Sequence, residues 1–207
     1  MTQRTTFNAK LFAAVNLAKA NEEMRFYLNG VYVMPAQDKG VILTATNGHI
    51  GLMAHDANGH IDEPQIIQLN RTSSQLKVFD TIALSNDMDV AELSSDKKSD
   101  ACTYKIVEGT YPDFGNVINS GEIKGDENLV CLDTDYLKTI GNVGDVFGKG
   151  ARVTVRTFGH QQPINFNIIW EELSVQGILM PRRDVSPFDL KDFLRHWEKD
   201  SEQKKAA

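Results

Sequence analysis

Three passes of one element order constrain this chain more than any other feature of it. In FNAKLFAAVNLAKANEE, Leu11, Phe12, Val15, Leu17 and Ala18 recur at helical spacing, and Asn8 ahead of them is a residue type that caps helices. Alternating stretches near residues 25–34, 40–46 and 49–55 then read as strands, the first pair joined by the polar turn PAQDKG, with NG dipeptides at Asn29-Gly30 and Asn47-Gly48. The order returns with a strand in PQIIQLN (64–70), a short helix in RTSSQLKVFD (71–80) and strands near 81–85, 88–95 and 101–108. A third pass begins at the strand NLVCLD (128–133), continues through the helix TDYLKTIGNVGDVF (134–147) and ends in ARVTVRTF, INFNIIW and LSVQGILMP. The pattern is a strand–helix–three-strand unit of about 50–60 residues, repeated. A single unit has too little apolar surface to stand alone, so the units must share sheets in an α+β chain.

Composition removes several functional classes. With 207 residues, 41 % of them hydrophobic, the chain can bury a core as one domain or two small ones. It has no run of 18 apolar residues, and MTQRTTFNAK lacks the apolar core of an export signal, so a cytoplasmic protein with no membrane partner is expected. Cys102 and Cys131 sit in alternating stretches, which suits buried thiols better than a disulfide framework. A net charge of −6 argues against coating nucleic acid with the whole surface and leaves room for a local basic strip. There is no nucleophile elbow, phosphate-binding glycine loop, Cys-His signature or metal-ligand spacing, and the histidines of HIGLMAHDANGH lie too far apart along strand and turn for a common metal site. The expectation is a protein without catalysis, metal or cofactor. Tyr111-Pro112-Asp113-Phe114 reads as a structural lock at a sheet end.

Four motifs occur in an order that resembles a known family: RFYLNGV, TATNGHI, KIVEGTYPDFGNVI and GILMPRR. They are similar to segments of the bacterial DNA polymerase III beta subunit, the ring-shaped sliding clamp. Residues 1–122 resemble two repeat units of its middle domain, and 123–183 the second half of its last domain; residues 184–207 form a tail. The resemblance implies a DNA-clamp fold, with sheets outside and helices lining one face. It also implies a processivity factor that encircles or contacts double-stranded DNA without reading sequence, binds DNA polymerase and clamp-loader peptides, and assembles as a homo-oligomer. Sheets would form the wall, and helices would offer phosphates a sparse set of cations. On these elements the chain carries Lys10, Lys19, Arg25, Arg71, Lys77, Lys138 and Lys149.

The family's peptide groove is carried by two segments. Thr46, Gly48, His49, Met180, Pro181 and Arg183 match it position for position, whereas Ile50, Gly51 and Arg182 replace an Arg, a Leu and a Met, which implies an altered peptide preference. In the tail, Phe188, Leu190, Phe193, Leu194 and Trp197 are spaced as one amphipathic helix over about 187–200, either covering the chain's own core or entering a peptide groove. The alternative function is a clamp-derived, peptide-binding regulator that does not encircle DNA.

Overall fold

The computed structural model describes residues 4–85, 88–113, 130–158 and 162–182. Eleven strands among them form one antiparallel sheet: β1 (Thr6–Asn8), β2 (Val31–Pro35), β3 (Val41–Thr46), β4 (Ile50–Asp56), β5 (Gln65–Leu69), β6 (Thr81–Leu84), β7 (Val90–Ser95), β8 (Lys98–Val107), β9 (Arg152–Arg156), β10 (Ile164–Trp170) and β11 (Leu173–Leu179). The lateral order is β1-β6-β7-β8-β5-β2-β3-β4-β11-β10-β9. The helices are α1 (Ala9–Val15), α2 (Ser73–Leu76) and α3 (Thr134–Phe147). None of the described helices is long and apolar enough to cross a membrane.

The unit order follows the repeat, but the units exchange strands. β1 of the first unit pairs with β6 of the second, and β5 of the second pairs with β2 of the first. β8 is long enough to serve both sides, pairing β7 through Lys98–Thr103 and β5 through Tyr104–Val107. The third unit extends the sheet through β11 against β4. No unit keeps its sheet to itself, which is how short apolar segments reach a common core.

The helices share one side of that sheet. α1 packs on β3, β4, β6 and β11 and touches both α2 and α3, while α3 also covers β10. One hydrophobic cluster therefore runs through all three units, with Phe12, Leu43, Leu52, Leu76, Ile82, Val143 and Ile168 among its members. α1 is sunk in the cluster: six of its seven residues are buried, leaving Lys10 as the half-buried exception. Its start is set by Asn8, whose Oδ1 accepts from the Lys10 and Leu11 amides at 2.9 and 3.0 Å, as the sequence predicts.

Three local expectations are corrected. The strand expected near 25–34 begins only at Val31: Phe26–Leu28 is a single 3-10 turn, and the Asn29 side-chain amide clasps the Glu22 backbone through bonds of 2.9 and 2.7 Å. A Cβ on Gly30 would meet Ile66 Cγ2 at 2.8 Å, so close packing against β5 requires the glycine. The helix expected over 71–80 is the single turn Ser73–Leu76, begun where the Gln75 side chain accepts from the Thr72 amide at 2.9 Å. The strand expected at 128–133 is not formed over 130–133, which runs straight into the cap of α3 at Asp133. Both cysteines are half-buried, free thiols. The tail helix and Arg183 lie outside the described residues.

Candidate functional site

The β3–β4 turn is built to hold one shape. The Thr46 hydroxyl donates to the Ile50 carbonyl at 2.9 Å and accepts from the Gly48 amide at 3.0 Å. Asn47 Oδ1 accepts from the His49 and Ile50 amides, both at 3.0 Å. Gly48 has a φ of +89°, a conformation that disfavours side chains, so the NG dipeptide serves the turn that its composition predicts.

Pairing of β11 with β4 then brings a distant segment to this turn. Beyond Leu179 opposite Ile50, the Met180 amide donates to the His49 carbonyl at 2.9 Å. Met180 is left 41 % exposed beside the exposed His49, with Pro181 following it. The His49 ring stacks on Tyr136 of α3, with centroids 6.0 Å apart at 20°. Arg182 anchors the far side: its amide donates to the Cys131 carbonyl at 2.9 Å, and its guanidinium reaches Asp133 at 3.4 Å. Behind the turn Tyr111 is buried and stacked on Tyr32, centroids 4.9 Å apart at 5°. Its hydroxyl approaches the Thr46 backbone without closing a bond of good geometry, and burial pushes its pKa well above the ordinary tyrosine range. Of the six predicted groove residues, five fall in this one place: Thr46, Gly48, His49, Met180 and Pro181. Tyr136 was missed because only the packing of α3 against the first unit brings it to His49.

The seven predicted DNA contacts are scattered by comparison. Lys10, Lys77 and Lys138 belong to or adjoin the helical layer. Lys10 Nζ pairs with Asp80 at 2.9 Å, Lys77 Nζ donates to the Asp145 carbonyl at 3.2 Å, and Lys138 is exposed on α3. Asp80, Asp135 and Asp145 adjoin the same helices and offset these three lysines. Lys19 is half-buried, and desolvation lowers its pKa. Arg71 pairs with Asp100 at 3.1 Å and donates to the Ala101 carbonyl on β8. Lys149 is exposed in the loop after α3, where its carbonyl accepts from the Trp170 indole at 3.2 Å. Arg25 lies over the groove turn instead: a Cβ on Gly48 would sit 3.0 Å from its Nη1, while its guanidinium grips Glu22 at 2.8 and 2.7 Å. That pairing pushes the Glu22 pKa down.

No family model matches the chain. Beta sliding clamps of two Caulobacter vibrioides strains are each 25 % identical to it over 152 residues, 69 % of this chain and 40 % of theirs. The chain thus aligns with two fifths of the length of these curated relatives. Among solved structures, the DNA polymerase III beta chain of Streptococcus pneumoniae superposes with a TM-score of 0.61 at 15 % identity, covering 89 % of this chain and 66 % of that one. The sliding clamp of Pseudomonas aeruginosa gives 0.59 at 15 % identity over 88 % and 67 %. That of Bartonella birtlesii, bound to griselimycin, gives 0.54 at 18 % over 88 % and 67 %. These structures share its fold.

Proposed function

The chain is a relative of the bacterial sliding clamps in sequence and fold, and from that premise we propose that it is a non-enzymatic, clamp-like processivity factor that holds polymerase or loader peptides in the groove beside His49 and contacts duplex DNA without reading its sequence. The observation that carries the reading is the junction of the β3–β4 turn with Met180 through the 2.9 Å bond to His49. An exposed thioether, a stacked imidazole and a neighbouring arginine together offer an apolar floor with a polar rim, the chemistry that suits a short extended peptide. Arg182, where the family has a methionine, stands at that rim paired with Asp133 at 3.4 Å, which supports an altered peptide preference. The units 1–122 and 123–183 act together here, since the groove takes residues from both.

A second reading keeps the groove and drops the ring. It is favoured by the pairing of Lys10 with Asp80 and of Arg71 with Asp100, which leaves fewer cations for phosphates. One experiment separates the two: retention on closed circular against linearised duplex, with binding of a fluorescent polymerase-tail peptide measured in parallel. A clamp stays on circles, slides from free ends and binds the peptide. A groove-only regulator binds the peptide and ignores both DNA forms. Absence of peptide binding refutes both.

A further inference from the structure

The first two units obey a pairing rule that the third satisfies only in part. Each unit's first strand lies between the end of its own unit and the second strand of the other. β5 pairs β8 on one side and β2 on the other; β1 pairs β6, while Thr6 exchanges backbone bonds of 2.9 and 2.7 Å with His60, just past β4. In the third unit residues 130–133 hold the first strand's position. They end at Asp133, the cap of α3, as β1 ends at Asn8, the cap of α1. The Cys131 carbonyl accepts from Arg182, just past β11, as Thr6 bonds to His60. Yet among the described residues no strand lies on the other edge of 130–133, and none lies on the outer edge of β9, the counterpart of β2 and β6.

The side chains mark the same open edge. Val153 and Val155 stand opposite Ile168 and Phe166 and so share the helix face. They are 50 % and 53 % exposed, whereas Ile82 and Leu84, at the equivalent positions of β6, are 0 % and 2 % exposed. Beside β9, Gly141 and Gly144 open a cleft of about 330 Å³ that Ile140, Val153 and Ile168 also line. A Cβ on Gly141 would meet nothing within 4 Å. α1 packs against α2 in the first two units and against α3 in the third.

We propose that two copies of this chain complete each other at this edge, residues 130–133 of each pairing with β9 of the other about a two-fold axis. The proposal goes beyond the functional reading and stands on strand pairing, whatever the chain does with DNA. Transferring the β1–β6 register, in which Asn8, Phe7 and Thr6 oppose Thr81, Ile82 and Ala83, sets Asp133 opposite Arg152, Leu132 opposite Val153 and Val130 opposite Val155. The apolar pairs then close the helix face, and the carboxylate meets a guanidinium on the other. β9 laid centred and antiparallel on its own copy is disfavoured, because RVTVR would set Arg152 against Arg156.

The test is a crossed disulfide. In a Cys102→Ser, Cys131→Ser background, one batch carries Leu132→Cys and the other Val153→Cys. Directly opposed residues of an antiparallel pair have Cα atoms about 4.5–5.5 Å apart, within disulfide reach. Mild oxidation of the mixture gives a covalent dimer that neither batch forms alone. In the unmodified chain, Val153→Lys with Val155→Lys weakens dimerisation about tenfold or more with an unchanged circular dichroism spectrum, since both side chains are half-exposed before pairing. A chain that stays monomeric up to roughly 100 µM overturns the proposal and assigns the cover of β9 to residues outside those described or to another protein. A dimer that neither cross-links nor responds to the lysines overturns it as well.

Discussion

Gly177→Ala tests whether the seam between the first and third units depends on backbone reached through an absent side chain. Gly177 lies in β11, opposite Phe166 on β10 and Leu52 on β4. The Phe166 ring lies over it, so that a Cβ would fall 2.1 Å from Cζ and 2.4 and 2.7 Å from the two Cε atoms. Ordinary carbon contact is about 3.5 Å, so the ring must retreat by about 1.4 Å. It has little room to do so: Phe166 is 4 % exposed, and Leu52 is fully buried. Such overpacking costs about 1–3 kcal/mol. Replacing a strand glycine by alanine returns about 0.5–1 kcal/mol through the backbone entropy of the unfolded chain. The net loss is about 1–2 kcal/mol, or roughly 3–6 °C in Tm for a chain of this size. Urea unfolding of the wild type, Gly177→Ala, Phe166→Leu and the double variant supplies a thermodynamic cycle. The smaller leucine side chain in place of the ring should relieve the alanine, giving a favourable coupling of about 1 kcal/mol. An unchanged midpoint for Gly177→Ala, or additivity within about 0.3 kcal/mol, would refute the reasoning.

Three further outcomes follow from the same structure. Asn8→Ala removes the acceptor of two helix amides and lowers the urea-derived stability by about 1 kcal/mol, while Asn8→Asp recovers most of it. His49→Ala and Met180→Ala each weaken peptide binding about tenfold by fluorescence anisotropy, with unfolding midpoints unchanged because both side chains are exposed. Tyr111 keeps its proton in the folded chain at pH values where an unfolded tyrosine loses it, so its contribution is complete below about pH 10 and declines as pH rises beyond that. Urea midpoints at about pH 9 and pH 11 should therefore fall more steeply in the wild type than in Tyr111→Phe, which at neutral pH is as stable or more so because the hydroxyl closes no good bond.

Periodicity located most elements because it reports burial on one face, and burial decides whether a short segment orders. It failed where a tertiary contact outweighs local pattern. The strand expected near 25–34 starts only at Val31, because the Asn29 side chain clasps the Glu22 backbone and turns the preceding residues away from the ladder. Residues 130–133 alternate like a strand and are not one, because pairing needs a partner edge as well as a suitable sequence. The candidate groove was legible through two motifs more than 130 positions apart, since the resemblance supplied their juxtaposition. Tyr136 carries no comparable signal.

By itself the sequence determined the unit and its repetition, the Asn8 cap, the Asn47-Gly48 turn and the apolar faces, all of which follow from interactions within a few residues. Only the tertiary structure decided which unit's strand completes which sheet, that α1 is engulfed, and that Lys10 meets Asp80 while Arg25 turns toward the groove. The physical reason is one of range. Hydrogen-bonded strand edges and ion pairs are satisfied by whatever the fold brings within a few ångströms, and no local pattern of residues encodes the identity of a neighbour seventy positions away.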